Sequence, residues 1–440
     1  MNQLRHPVGV RQAGANHFFT LSCNPCARAD GARESPMTSR AFLVCCTSIL
    51  LMSVLGSPFW IGQAMSAAGG IFSDMASRDF ANKDFANYWL AGRLTLSGDW
   101  ISLFHQPSHQ AALEDALGIN SMEIRNWSYP PHFLLVIACL GLLPYNLAYV
   151  AFFLATGTVF GVAVFGALRR TSVRATPEIW LMTLLLCLPL ILLQFATGQN
   201  GFFFSGLMLI ALTNRFDRRW LSGLALAFLT MKPQFGILFP LLLLVERNYR
   251  TIVWTVLFSS LLAGASIWLF GWASWAAYMN EGLTYQRQVM TNWDGVFLHM
   301  MPTFFAAFRQ SGLGGNPALA MHMAVALPIC ACVIWKMFKS PPGTERDLLF
   351  VLATFVLTPY AFSYDCGALI ALLAILFAGW ARHDAEDPVS LTLVLPTSAV
   401  FALPLWTPLP SEFPAWMAWL APALLVYVAL RPGVRPKRAS

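Results

Sequence analysis

The chain has 440 residues, of which 57% are hydrophobic and only 11% charged, with 34 Phe and 16 Trp, a composition outside the range of a soluble globular domain. Its formal charge of +7 does not point to nucleic acid, because the basic residues stand singly and in pairs at the ends of apolar runs, where they mark membrane topology. Nine cysteines is an odd number, and Cys45, Cys46, Cys139, Cys187, Cys330 and Cys332 lie inside apolar runs, so no disulfide framework is implied.

The apolar runs are roughly 17 to 25 residues long and lack the alternation of barrel strands, so the fold class is an all-α integral membrane protein. Residues 1–40 read as a polar, disordered cytoplasmic tail, with Met37 as an alternative start. Cys23 and Cys26 form a CxxC there, without the two further ligands a zinc site needs. Residues 41–431 read as one polytopic membrane domain, and 432–440 as a basic cytoplasmic tail.

Within that domain the first span is expected at 41–64, followed by a long outer-face loop, 65–130, that carries amphipathic helices. The run 132–143 is too short to cross and is expected to be re-entrant. Spans follow at 145–168, 178–197 and 201–214, with basic turns marking the inner side. Residues 221–245 hold two short apolar stretches separated by "KPQ", which predicts a hairpin with Lys232, Pro233 and Gln234 at its outer tip. The span 251–270 leads to a second long outer loop, 271–316, and spans at 317–338, 348–362, 366–380, 389–406 and 415–430 complete about twelve, within a range of about 11 to 13.

With that topology the polar residues gather on the outer side, while the inner tips carry little besides anchoring Arg and Lys. Asp74, Asp79, Asp84, Tyr88 and Arg93 lie in the first loop, Tyr129 and His132 at its end, and Gln199 and Asn200 in "ATGQNG". Lys232 and Gln234, then Tyr285, Arg287, Gln288, Trp293 and Asp294, and finally Tyr364 and Asp365 complete the set, which reads as an outer-face polar cavity. Lys232, beside a proline that breaks a helix, is a candidate phosphate ligand. The apolar pattern after Asp84 predicts a helix that lies in the membrane interface with the carboxylate aimed into the cavity. His105 and His109 share a helical spacing, but no acidic residue completes a metal set nearby.

The segments "KDFANYWLAGRLTLSGDW", "NWSYPPHFLLV", "ATGQNGFF", "GLALAFLTMKPQFGILFPLLLLVERNYR" and "TPYAFSYD", in that order, resemble glycosyltransferase family 87 over about residues 70 to 380. These are membrane transferases of the C-type architecture, similar to the polyprenol-phosphate-mannose-dependent α-1,2-mannosyltransferases. The resemblance implies an enzyme that moves a sugar, mannose by family, from a polyprenyl-phosphate donor to a lipid or glycan acceptor. It places the reaction at the outer, periplasmic face of the inner membrane, with Asp84 of "DFANYW" as the general base. Direct displacement would invert the anomeric centre. Lys232 or Arg287 would stabilise the leaving phosphate without any cofactor or metal, and Tyr88, Arg93, Tyr129, His132, Gln199, Asn200, Gln234 and Asp365 would line the substrate site. Phe104 stands where the family often has a tyrosine.

Two other classes also use a polar cavity among many spans. A transporter or flippase of lipid-linked glycans would need charges reachable from both faces. An O-antigen polymerase or ligase would want paired arginines in a late outer loop, where only Arg287 and Arg309 are available.

Overall fold

The computed structural model describes residues 61–72, 83–119, 124–171, 177–383 and 419–430. Contacts divide the chain into residues 1–36 and 37–440, and every described residue belongs to the second unit. Cys23, Cys26, Asp74, Asp79, most of the first expected span, the span at 389–406 and the tail 432–440 lie outside the described residues.

The described elements are helical, with no strand among the described residues. In the first loop α1 (Phe85–Ser97), α2 (Trp100–Phe104) and α3 (Gln106–Leu117) follow one another. After the short broken segment 131–142 come α4 (Tyr145–Arg169), α5 (Pro177–Thr197) and α6 (Gly201–Asn214). The expected hairpin is α7 (Arg219–Leu229) and α8 (Phe239–Val245), separated by a single 3-10 turn, Pro233–Phe235. Beyond it lie α9 (Tyr249–Ala277), α10 (Leu283–Asn292), α11 (Gly315–Lys339), α12 (Thr344–Leu357), α13 (Gly367–His383) and α14 (Leu420–Leu430).

Four described helices are long and apolar enough to cross a bilayer: Tyr145–Arg169, Trp180–Thr197, Tyr249–Asn292 and Gly315–Lys339. Of the twelve or so expected spans, most of 41–64 and all of 389–406 lie outside the described residues, and others among the described residues are shorter apolar helices such as Gly201–Asn214 and Arg219–Leu229. α6, with 14 residues, rises only about 21 Å against a hydrocarbon core of about 30 Å. Such short, broken pieces are tolerated at membrane depth where protein, rather than lipid, surrounds them.

Three further expectations are corrected. α1 is not the half-exposed amphipathic helix expected: nine of its 13 residues are buried within the protein, and it packs against Leu134–Ile137 and Ala138–Leu142. Its aromatic residues account for this, since the Tyr88 ring stacks on Phe152 at 5.2 Å and meets Trp127 edge-on at 6.1 Å, well inside the range where such pairs attract. The second outer loop is helical at its start: the helix of α9 bends at Gly271 (φ 73°) and runs on to Asn292 through a π turn at Tyr278–Gly282. The helix ends expected to face inward also hold more than anchoring charges. Arg215 is buried there, paired with Glu246 at 2.9 Å and Asp347 at 2.9 Å, while Arg346 reaches Glu246 at 3.5 Å. These ion pairs link the ends of α6, α8 and α12.

In the first loop His109 is buried and bonds Asn87 Oδ1 at 3.2 Å, and burial pushes its imidazole down to about 4, so it is a neutral core group. His105 is exposed and bonds Ser108 Oγ at 2.9 Å instead. The two imidazoles therefore serve different neighbours despite their helical spacing.

Candidate active site

Asp84 sits at the N-cap of α1, where an aspartate ordinarily accepts a hydrogen bond from the first free N–H groups of the helix. Here its side chain makes no cap bond. Arg125 Nη1 donates to Oδ1 at 2.6 Å, and Gln199 Nε2 donates to Oδ2 at 2.8 Å. The Asp84 side chain is 22% exposed, so it is held by two donors and is still partly open. Ordinary capping therefore does not explain this aspartate.

Gln199 and Asn200 occupy the tight link between α5 and α6, and two glycines shape it. Gly198 takes φ +66°, a left-handed conformation open to glycine. A Cβ on Gly201 would collide with the Tyr364 carbonyl oxygen and the Gln194 side-chain amide. Those two groups bond each other at 2.6 Å, tying the link to the turn Ser363–Asp365. Gly201→Ala is accordingly expected to destabilise the protein by about 1–3 kcal/mol, since the clash includes the Tyr364 backbone, which cannot swing aside as a side-chain tip can. Thermal unfolding of the purified variant in detergent checks this.

From Gln199 the polar groups continue inward. Tyr88 Oη donates to Gln199 Oε1 at 2.9 Å and lies 3.2 Å from Tyr129 Oη. Asn200 Nδ2 donates to Tyr129 Oη at 2.7 Å, and Lys232 Nζ lies 3.5 Å from Asn200 Oδ1. Lys232 also donates to Asp365 Oδ1 at 2.6 Å, and the Phe362 N–H donates to Asp365 Oδ2 at 3.2 Å. Both charged side chains are buried, Lys232 to 5% exposure and Asp365 to none. The rings of Phe204, Phe235 and Tyr364 surround the ammonium at 5.2 to 5.5 Å.

Seven predicted residues, Asp84, Tyr88, Tyr129, Gln199, Asn200, Lys232 and Asp365, thus join one network, each from a helix end or a break between helices. Lys232 is placed differently from a phosphate ligand: its charge is committed to Asp365 instead of open to solvent. The other four stand apart from the network. Arg93 is exposed and lies over the Trp89 ring at 5.0 Å. His132 bonds Thr230 Oγ1 at 3.0 Å and stacks on Trp275 at 5.6 Å. Gln234 is half-buried and offers its backbone carbonyl to Thr358. Arg287 is exposed on α10, whereas Arg309, the other arginine of that stretch, pairs with Asp294 at 2.6 Å.

Arg125 is the site residue that sequence reasoning missed. The signal was its place two residues before Trp127 in "RNWSYPPHF", a polar and aromatic stretch on the face already assigned to the cavity. Among the described residues no group of three His, Cys, Asp or Glu could hold a metal ion.

The profile of glycosyltransferase family 87 matches residues 127–361, more than half of the chain. The chain belongs to glycosyltransferase family 87. No curated protein and no solved structure matches it. As a family 87 member it is a membrane glycosyltransferase. The matched region holds Tyr129, Gln199, Asn200 and Lys232, while Asp84 precedes it and Asp365 follows it. Hydrogen bonds join both carboxylates to the family 87 segment.

Proposed function

We propose that this family 87 protein transfers a sugar, mannose by family resemblance, from a polyprenyl-phosphate donor to a hydroxyl of a lipid or glycan acceptor. The reaction occurs at the outer, periplasmic face of the inner membrane, inverts the anomeric carbon and needs no metal or other cofactor. The observation that carries the reading is Asp84, a helix N-cap aspartate not used as a cap, gripped by Arg125 and Gln199 and still partly open.

In the proposed step the acceptor oxygen attacks the anomeric carbon as Asp84 takes its proton, and the bond from that carbon to the phosphate oxygen breaks. Polyprenyl phosphate leaves with the electron pair of the broken bond. Its negative charge then wants a cation, and Arg287, exposed on α10, supplies one that the paired Lys232 does not.

The test uses the purified protein in lipid vesicles with radiolabelled polyprenyl-phosphate sugars and, in parallel, nucleotide sugars, with and without EDTA. Transfer from the lipid-linked donor alone, unaffected by EDTA, is the expected result. Transfer from a nucleotide sugar overturns the donor assignment. Arg287→Gln is expected to raise the apparent donor KM about tenfold with little change in kcat, the signature of lost binding common to ground state and transition state. An unchanged donor KM removes Arg287 from the phosphate site.

A further inference from the structure

The hydrogen bonds between Lys232 and Asp84 have a definite direction, and both ends impose it. An ionised carboxylate only accepts, so Gln199 must turn its NH2 toward Asp84 and its carbonyl oxygen toward Tyr88. Tyr88 must then donate to that oxygen, which leaves Tyr129 as the donor in the Tyr88–Tyr129 pair at 3.2 Å. Tyr129 oxygen accepts from the Asn200 NH2 at 2.7 Å, so the Asn200 carbonyl faces Lys232. Starting from the other end gives the same answer, because an ammonium only donates. Every donor along the path therefore points from the cation toward the carboxylate. The dipoles add, and no amide or hydroxyl in it has an equally good alternative orientation.

We infer that Gln199, Tyr88, Tyr129 and Asn200 are positioning residues that orient Asp84 for proton abstraction, with the buried Lys232–Asp365 pair as the fixed end of the relay. This rests on the general-base reading of Asp84. The relay turns the Gln199 amide donors toward Oδ2 while Arg125 holds Oδ1, so the plane of the carboxylate is set before any acceptor arrives. The two amides cannot pass a net proton along without changing tautomer, so the role is orientation and electrostatics, not proton transport. Lys232 acts on the chemistry from a distance and does not touch the donor.

The experiment compares Tyr88→Phe, Gln199→Met, Gln199→Glu and Asp84→Asn with the wild-type chain, using initial rates over a range of labelled polyprenyl-phosphate sugar. Tyr88→Phe keeps the ring on Phe152 and removes one oxygen. It is expected to lower kcat about tenfold with donor KM within about twofold of wild type. Gln199→Glu has nearly the shape of the native residue but sets a second carboxylate against Asp84. It is therefore expected to be less active than the less similar Gln199→Met, an order that packing alone would reverse.

Wild-type kcat in Tyr88→Phe, or a Gln199→Glu variant at least as active as Gln199→Met, overturns the relay. If Gln199→Glu does not fold, the kcat of Tyr88→Phe decides alone. An active Asp84→Asn instead overturns the base assignment beneath it, so the two failures are told apart.

Discussion

Asp84→Asn is expected to lower kcat by about 10²- to 10⁴-fold, the range a positioned general base contributes. Asn matches Asp in size but cannot take up the acceptor proton at neutral pH. It also brings an NH2 group to a place where Arg125 and Gln199 both already donate, so one of those bonds must be lost. The fold should survive. The Arg125–Asp84 pair is partly open to solvent, at 13% and 22% exposure, so weakening it costs less than breaking a fully buried pair. Initial rates with radiolabelled donor, beside a thermal melt of the same preparation, separate lost chemistry from lost structure. A variant that melts normally and still turns over at the wild-type rate excludes Asp84 as the base.

Breaking the Lys232–Asp365 pair is expected to have the largest effect on stability. Lys232→Met leaves a carboxylate with no exposed side-chain surface facing apolar and aromatic groups, and losing one partner of a buried pair costs about 3–5 kcal/mol. Asp365→Asn should be milder, because Phe204, Phe235 and Tyr364 still offer ring faces to the ammonium. The double variant Lys232→Met/Asp365→Asn removes both charges and should recover most of the lost stability, since a buried ion pair and a neutral replacement of similar volume are often nearly equal in free energy. Thermal unfolding in detergent measures all three. If Lys232→Met melts at the wild-type temperature, the pair is not the structural anchor described above. The relay further requires the double variant, though folded, to remain slow in transfer, whereas a phosphate role for Lys232 would appear as a raised donor KM.

The helical class and most helix ends were legible in the sequence, for a physical reason. In lipid a backbone must bond within its own segment, so an apolar run bounded by Gly, Pro or Arg is almost a complete description of a helix. The run expected at 145–168 is the helix Tyr145–Arg169, the run at 201–214 is Gly201–Asn214, and the break at Lys232–Gln234 separates two short helices. The helix that continues past Gly271 to Asn292 was not legible, because a glycine with Trp, Tyr, Asn and Gln after it reads as loop unless neighbouring elements hold it helical.

The candidate site divides along the same line. Composition and pattern, read alone, determined that the protein is a membrane-embedded helical protein, gathered its unusual polar residues on one side of the expected topology, and marked Asp84 and Lys232 as the two charges most in need of explanation. Only the tertiary structure decided who answers those charges: Arg125 and Gln199 for Asp84, and Asp365, 133 positions away, for Lys232. Hydrophobic periodicity is a local property and can be read residue by residue. Charge pairing in a low-dielectric interior depends on distance in space, which is set when the helices pack and the breaks between them meet.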